Sequence, residues 1–111
     1  MMIQRYERVV DLPVVDPDGH RLGRVAAAYC TPDPVRVVWF VLRLPGLRRQ
    51  WRAVPARHAR WCGTTRTSLW VPHRREQVLA SPAVDEDSLD TAGGRGEVDL
   101  FYTAWPAGAR R

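Results

Sequence analysis

The stretch LPVVDPDGHRLGRVAAAY, residues 12–29, contains two apolar runs separated by a strong turn signal. Within that signal, proline presets φ, the aspartate side chains bond back to the backbone, and Gly19 accepts a positive φ. The pattern predicts a β-hairpin with a short strand at 13–16 and a return strand at 22–30. Gly23 lies inside the return strand, where a glycine indicates a sharp bend or a close approach of a neighbouring backbone.

Four further short strands are predicted after this hairpin. Residues 35–44 are apolar at almost every position and rich in β-branched side chains, which is typical of a central strand covered on both sides. Strands that each contain a tryptophan are predicted at 51–55, 58–62 and 68–72. This mainly β pattern favours a small antiparallel β-barrel of about six strands, because closure removes the exposed edges of short strands.

The character of the chain changes after residue 84. We expect residues 1–84 to form the β domain and residues 85–111 to form an acidic segment that packs on it or extends from it. Ser88 or Asp87 can cap a short helix there. The glycines of the GGRG run at 93–96 are expected to interrupt that helix, so the segment is predicted to be helical for a short length or irregular.

The charge is distributed unevenly along the 111 residues, a length that predicts one domain. All 17 basic residues are arginine, and the formal net charge is +5. Residues 34–75 contain ten arginines and no acidic residue, whereas residues 76–111 contain three arginines and seven acidic residues. The arginines therefore need counter-charge from the acidic tail of the same chain, from a partner subunit or from nucleic acid.

Two stretches bear on the location of the protein in the cell. The first ten residues are charged within their first eight positions and lack the apolar segment of a signal peptide. The longest uncharged apolar run, residues 37–42, is too short to cross a bilayer. We therefore expect a cytoplasmic protein that has no membrane partner.

The order of these motifs resembles the PRC-barrel family, which is named for the H subunit of the photosynthetic reaction centre and also occurs in a ribosome maturation factor. The resemblance covers roughly residues 8–105, and the segments that carry it are Asp16 to Gly19, Gly23 with Val25, Val37 to Leu44, Val54 with Pro55, and Ala80 to Pro82. It implies a small β-barrel with an adaptor role. The family has no shared catalytic residues, so the resemblance assigns none to this chain.

Catalytic and metal-binding patterns are weak in this sequence. The hydroxyl and thiol side chains occur in no recognised nucleophile signature. His58, Cys62 and a remote His73 fall short of the ligand set of a zinc site, and the GGRG run lacks the lysine of a phosphate-binding loop. We therefore expect a protein that is not an enzyme and has no metal, cofactor or small-molecule substrate.

Arginine and tryptophan are the residue types that most often anchor protein interfaces. The sequence therefore predicts a non-catalytic interaction module that associates with itself, as a dimer, or with another protein. The candidate contact residues are Arg48, Arg49, Trp51, Arg52, Arg57 and Arg60. The alternative is an RNA- or ribosome-associated module that binds phosphates through the arginine-rich stretch 43–75.

Overall fold

The computed structural model describes residues 2–46, 50–62 and 67–105. Two long paired strands, Arg21–Pro32 and Val35–Leu44, form its centre. The strands are β1 (Gln4–Arg5), β2 (Pro13–Val15), β3 (Arg21–Pro32), β4 (Val35–Leu44), β5 (Gln50–Pro55), β6 (Arg60–Cys62) and β7 (Ser68–Trp70). The helices are α1 (Arg75–Ala80) and α2 (Ala92–Ala104), and 3₁₀ turns occupy Glu7–Val9 and Ser88–Asp90. The mainly β prediction is confirmed, with β4 at the residues expected from its apolar run.

The seven strands of the described residues belong to one sheet with the order β5-β4-β3-β2-β7-β6, and β1 pairs with β3 beside that path. The sheet is open, not the closed barrel predicted from the sequence. At one end, the outer edge of β5 is occupied by an irregular segment: Ala83 forms a bridge with Arg52, and the Val84 N–H donates to the Trp51 carbonyl oxygen at 3.1 Å. At the other end, β6 is only three residues long.

The expectation of a purely antiparallel sheet is also wrong at one pair of strands. β2 runs parallel to β7, with Val14 opposite Leu69 and Val15 opposite Trp70. The chain reaches β7 only after completing β3 to β6, and a long connection of this kind can bring a strand back in the parallel direction. The described part of the sheet is therefore mixed.

The turn between β2 and β3 is built on Asp16. Its carboxylate Oδ1 accepts the backbone N–H groups of Asp18 and His20, both at 2.9 Å. The Gly19 N–H donates to the Asp16 carbonyl oxygen at 3.0 Å, and Gly19 has a φ of +83°. Because glycine adopts this left-handed conformation without steric cost, the turn closes tightly and β3 starts in register with β2.

Gly23 lies where the backbone of β4 approaches β3 closely. Register shifts lie on both sides of it, one against β2 between Val14 and Val15 and one against β4 between Val25 and Ala27. A Cβ at position 23 would stand 3.1 Å from the carbonyl carbon of Arg43 in β4, and closer still to its oxygen. The neighbouring backbone therefore occupies the space that any other side chain would need.

The C-terminal helix α2 is longer than expected, and the glycines at 93–96 lie within it. Thr91 caps its first turn by accepting the Gly94 N–H at 3.0 Å. Val98 and Tyr102 are 1% and 2% exposed and belong to the main core cluster. The apolar area that these side chains bury outweighs the helix-breaking tendency of the glycines, since tertiary packing supplies most helix stability in proteins.

Neither helix of the described chain has the length and apolar character needed to cross a bilayer.

Candidate interaction surface

A concave surface lies between α2 and one end of the β4–β5 pair. Three arginines from separate parts of the chain line this groove: Arg36 in β4, Arg57 directly after β5, and Arg95 in α2. Its apolar lining includes Val38, Trp39, Pro55 and Ala56. The volume is about 590 Å³, and we call this surface the arginine groove.

Each arginine reaches the groove from a different element of the fold. Arg36 is exposed near the start of β4, before that strand enters the core. Arg57 follows Pro55, at which β5 ends. Arg95 lies one helical turn before Asp99, so both reach the same side of α2.

The groove has an excess of positive charge. Among the described residues, one carboxylate lines it, that of Asp99, which forms an ion pair with Arg57 at 3.7 Å, with both side chains more than half exposed. Arg95 donates from Nη1 to the Leu89 carbonyl oxygen at 2.9 Å, which holds its side chain in place without neutralising it. Within the described residues, neither Arg36 nor Arg95 has a carboxylate within 4 Å. The arrangement suits a ligand that offers carboxylates or phosphates.

The structure separates the contact residues predicted from the sequence. Arg57 lies in the arginine groove. Trp51 is half-buried and packs against the core. Arg52 is also half-buried, and its Nη1 donates to the Trp51 carbonyl oxygen at 3.1 Å. Arg48 and Arg49 lie outside the described residues.

The remaining predicted contact residue, Arg60, lies in a second hollow of about 380 Å³ on β6 and β7. Arg60 is opposite Trp70 in the strand register, so their side chains share the outer face of this pair. Trp61 also lines this hollow, and its ring meets the Phe40 ring edge-on at 6.5 Å. Both tryptophans are therefore half-buried residues of this hollow, and Trp61 also packs against the core.

Sequence reasoning missed Arg36 and Arg95. In the sequence, Arg36 directly precedes the apolar run 37–42, and Arg95 is part of the GGRG run. No local spacing links these two positions to each other or to Arg57, because the groove forms only when α2 packs beside the β4–β5 pair. The one available signal was the lack of acidic residues in 34–75, which called for counter-charge from elsewhere.

Arg21, Arg24 and Arg43 form a third basic surface. They line a hollow of about 450 Å³ at the start of β3 and the end of β4, whereas the arginine groove lies at the start of β4. Arg24 and Arg43 are directly opposite in the register, an arrangement that costs stability when both carry the same charge. Asp11 compensates for it. Its carbonyl oxygen accepts from Arg24 at 2.7 Å, and its carboxylate accepts from Arg43 at 3.5 Å.

Asp11 adopts a left-handed backbone conformation with a φ of +70°. Aspartate is one of the few residues other than glycine found there with some frequency. This conformation allows the carbonyl oxygen and the carboxylate of one residue to serve two arginines. Part of the counter-charge for the basic middle of the chain is therefore supplied internally, by Asp11 to Arg43, by Asp18 to Arg74 and by Asp99 to Arg57.

A cluster of polar side chains is buried beneath α2. The His73 Nδ1 and Gln77 Oε1 atoms are 3.1 Å apart, and Gln77 Nε2 donates to the Trp105 carbonyl oxygen. The rings of His73 and Tyr102 are 4.8 Å apart, and His73 is 4% exposed. Burial lowers the pKa of His73, with Arg57 and His58 acting in the same direction, and burial raises the pKa of Tyr102.

The lowered pKa of His73 predicts that the protein loses stability in mild acid. The unfolded chain takes up the proton first, so the free energy of unfolding should fall as the pH drops below about 6.5. His73→Asn removes the titrating ring but leaves a hydrogen-bonding group beside Gln77. We expect urea unfolding between about pH 7.5 and pH 5.5 to show a smaller loss of stability for His73→Asn than for the native chain. Equal losses in the two proteins would contradict this role for His73.

Asp16, Asp18 and His20 are the one group of potential metal ligands found in the described residues, with one ligand atom from each within 4.8 Å of the others. The oxygens are already engaged: Asp16 Oδ1 accepts two backbone N–H groups, and Asp18 is paired with Arg74. These contacts account for the cluster as part of the β2–β3 turn.

Comparison of the chain with known proteins adds no assignment: no protein-family model matches it, and no curated protein sequence matches it either.

Proposed function

We propose that this chain is a non-catalytic interaction module of the cytoplasm that associates with itself. The observation that carries this proposal is the arginine groove, in which three arginines and, among the described residues, one carboxylate line the same surface. Arginine side chains beside apolar residues that include a tryptophan are typical of the hot spots of protein interfaces. The part of the lining formed by described residues contains no hydroxyl or thiol nucleophile, and its carboxylate is paired with Arg57.

We also propose that the chain is a divergent, open member of the PRC-barrel family. Support comes from the sequence order of the Asp16–Gly19 turn, the Gly23 strand, the apolar β4 and the Val54–Pro55 strand end. In this interpretation, Ala83 and Val84 occupy the edge of β5 at which a closing strand would otherwise pair. A shared fold does not by itself establish a shared role, and the feature that supports the adaptor function is the arginine groove.

The test of self-association is the mass of the full chain in solution. Sedimentation equilibrium at protein concentrations up to about 100 μM should show a mass that rises with concentration towards twice the chain mass of 12.7 kDa. A constant monomer mass over the whole range would refute self-association.

The basic hollow of Arg21, Arg24 and Arg43 supports a second candidate function, the binding of RNA. Phosphate binding through arginines releases counterions, so the affinity for a single-stranded RNA should fall steeply with salt. The half-buried position of Trp51 argues against base stacking at that residue. Arg21→Ala with Arg24→Ala should then reduce both the affinity and its salt dependence in a fluorescence anisotropy titration, whereas an unchanged titration would remove this candidate.

A further inference from the structure

A second surface of the same chain is negatively charged, whereas the arginine groove is positively charged. Asp85, Glu86, Asp87 and Asp90 are exposed and follow one another around the turn that leads into α2. Among the described residues, no cation lies within 4 Å of any of these carboxylates. We call residues 85–90 the acidic turn.

The acidic turn is held in a defined shape by internal hydrogen bonds. Asp85 Oδ1 accepts the Asp87 N–H and the Ser88 hydroxyl, both at 3.0 Å, and Ser88 Oγ accepts the Asp85 N–H at 2.9 Å. The hydrogen bond from the Asp87 backbone, together with that from Ser88, keeps the pKa of Asp85 below its usual value, so this carboxyl is charged at neutral pH. A surface with fixed charges loses little conformational entropy when it binds a partner.

Contacts from the sheet anchor the same turn. Arg5 Nη2 and the Tyr29 hydroxyl both donate to the Glu86 carbonyl oxygen, at 3.0 and 3.3 Å. These contacts use the backbone of residue 86, so the side chains of Glu86 and Asp87 are exposed and able to meet a partner.

The acidic turn and the arginine groove lie beside each other on one face of the sheet. Tyr29, which anchors the turn, is directly opposite Trp39, which lines the groove, and opposed residues of an antiparallel pair share a face. Arg95 joins the two surfaces as well, because it lines the groove and binds the carbonyl oxygen of Leu89 within the turn. A face that carries two complementary surfaces side by side is self-complementary, and a two-fold symmetric dimer requires a self-complementary face.

We propose that the arginine groove of one copy receives the acidic turn of a second copy, and that the two-fold related contact forms at the same time. This inference rests on the proposed self-association and names the surfaces that carry it. Each charge pair then occurs twice, and Leu100, which is 70% exposed one turn after Gly96 of the groove, adds apolar area at the margin.

Charge exchange on the full chain tests this assignment. The groove variant carries Arg36→Glu and Arg57→Glu, and the turn variant carries Glu86→Arg and Asp87→Arg. We expect each variant alone to dimerise at least about tenfold more weakly than the native chain, because like charges face one another in the contact. An equimolar mixture of the two variants should regain dimers, because the reversed charges complement each other.

A matched control separates this contact from a general effect of net charge. Glu7→Arg with Glu76→Arg makes the same change in charge as the turn variant at exposed positions outside the acidic turn. We expect this control to change the dimer dissociation constant by less than about twofold. Thermal unfolding of every variant establishes that the fold is intact, and the turn variant replaces two exposed side chains for which the structure records no hydrogen bond.

The outcomes distinguish the inference from the proposed function. Recovery of dimers only in the mixture supports the reciprocal contact. Dimers that persist in both variants, or that weaken equally in the control, overturn the reciprocal contact and leave self-association standing on another surface, such as the hollow of Arg60 and Trp70. A native chain that stays monomeric overturns both.

Discussion

Gly23→Ala should destabilise the protein by about 3 kcal/mol or more, a large share of the ordinary stability of a small domain. The new Cβ would lie against the carbonyl group of Arg43 and 3.3 Å from the Cα of Leu44. These are backbone atoms of the central strand β4, so they cannot rotate away as the end of a side chain can. Urea unfolding followed by far-ultraviolet circular dichroism measures the loss.

Two other glycines provide matched controls within α2. A Cβ at Gly96 would meet no atom within 4 Å, so Gly96→Ala should stabilise the protein by about 0.5–1 kcal/mol through the better helix propensity of alanine. A Cβ at Gly94 would stand 2.9 Å from the carbonyl carbon of Ser88, so Gly94→Ala should destabilise. Similar effects of alanine at positions 23 and 96 would show that β3 and β4 do not approach as closely as described.

Ending the chain after Val84 should abolish cooperative folding. The removed segment contributes Leu89, Val98 and Tyr102 to the core, each no more than 2% exposed. Burial of each such side chain is worth about 1.5–3 kcal/mol, and together they approach the whole stability of a small domain. A sigmoidal thermal transition of the shortened chain would contradict this expectation and would support residues 1–84 as an independent β domain.

Point substitutions on α2 check the same conclusion without shortening the chain. Val98→Ala should cost about 2 kcal/mol, because the side chain is 1% exposed and leaves a cavity. Leu100→Ala removes a side chain that is 70% exposed, and should change the free energy of unfolding by less than about 0.5 kcal/mol. Equal costs at the two positions would mean that α2 does not bury the face described here.

The local elements of the fold could be predicted from residue patterns, and the reasons are short-range. The apolar run at residues 37–42 of β4 shows no alternation with polar side chains, which marks a strand segment covered on both faces. The Asp16–Gly19 turn depends on hydrogen bonds between residues at most four apart. Such features depend on neighbours in the chain, which the sequence displays directly.

The helix α2 and the open sheet could not be predicted in the same way. The glycines at 93–96 have poor helix propensity, and what offsets it is the packing of Val98 and Tyr102 against strands far away in the sequence. The edge of β5 is occupied by Ala83 and Val84, which carry no strand pattern of their own. Both outcomes depend on contacts between distant segments.

The candidate interaction surface shows the same division. The arginine excess in residues 34–75 indicated that counter-charge must come from elsewhere, but not which arginines would be left without it. Asp11 and Asp18 lie early in the chain, and each is paired with a single arginine of that stretch. Arg36 and Arg57 are brought beside Arg95 only by the packing of α2.

By itself, the amino-acid sequence determined a mainly β chain, the positions of its central strands and turn, and a basic middle that needs a counter-ion. The tertiary structure alone decided that the sheet stays open, that a glycine-containing segment is a helix, and which arginines share a groove. The physical reason is the difference in range between the interactions that decide each feature. Backbone propensity and apolar alternation act over a few residues, whereas packing and electrostatic pairing depend on distances in space between residues that are remote in the chain.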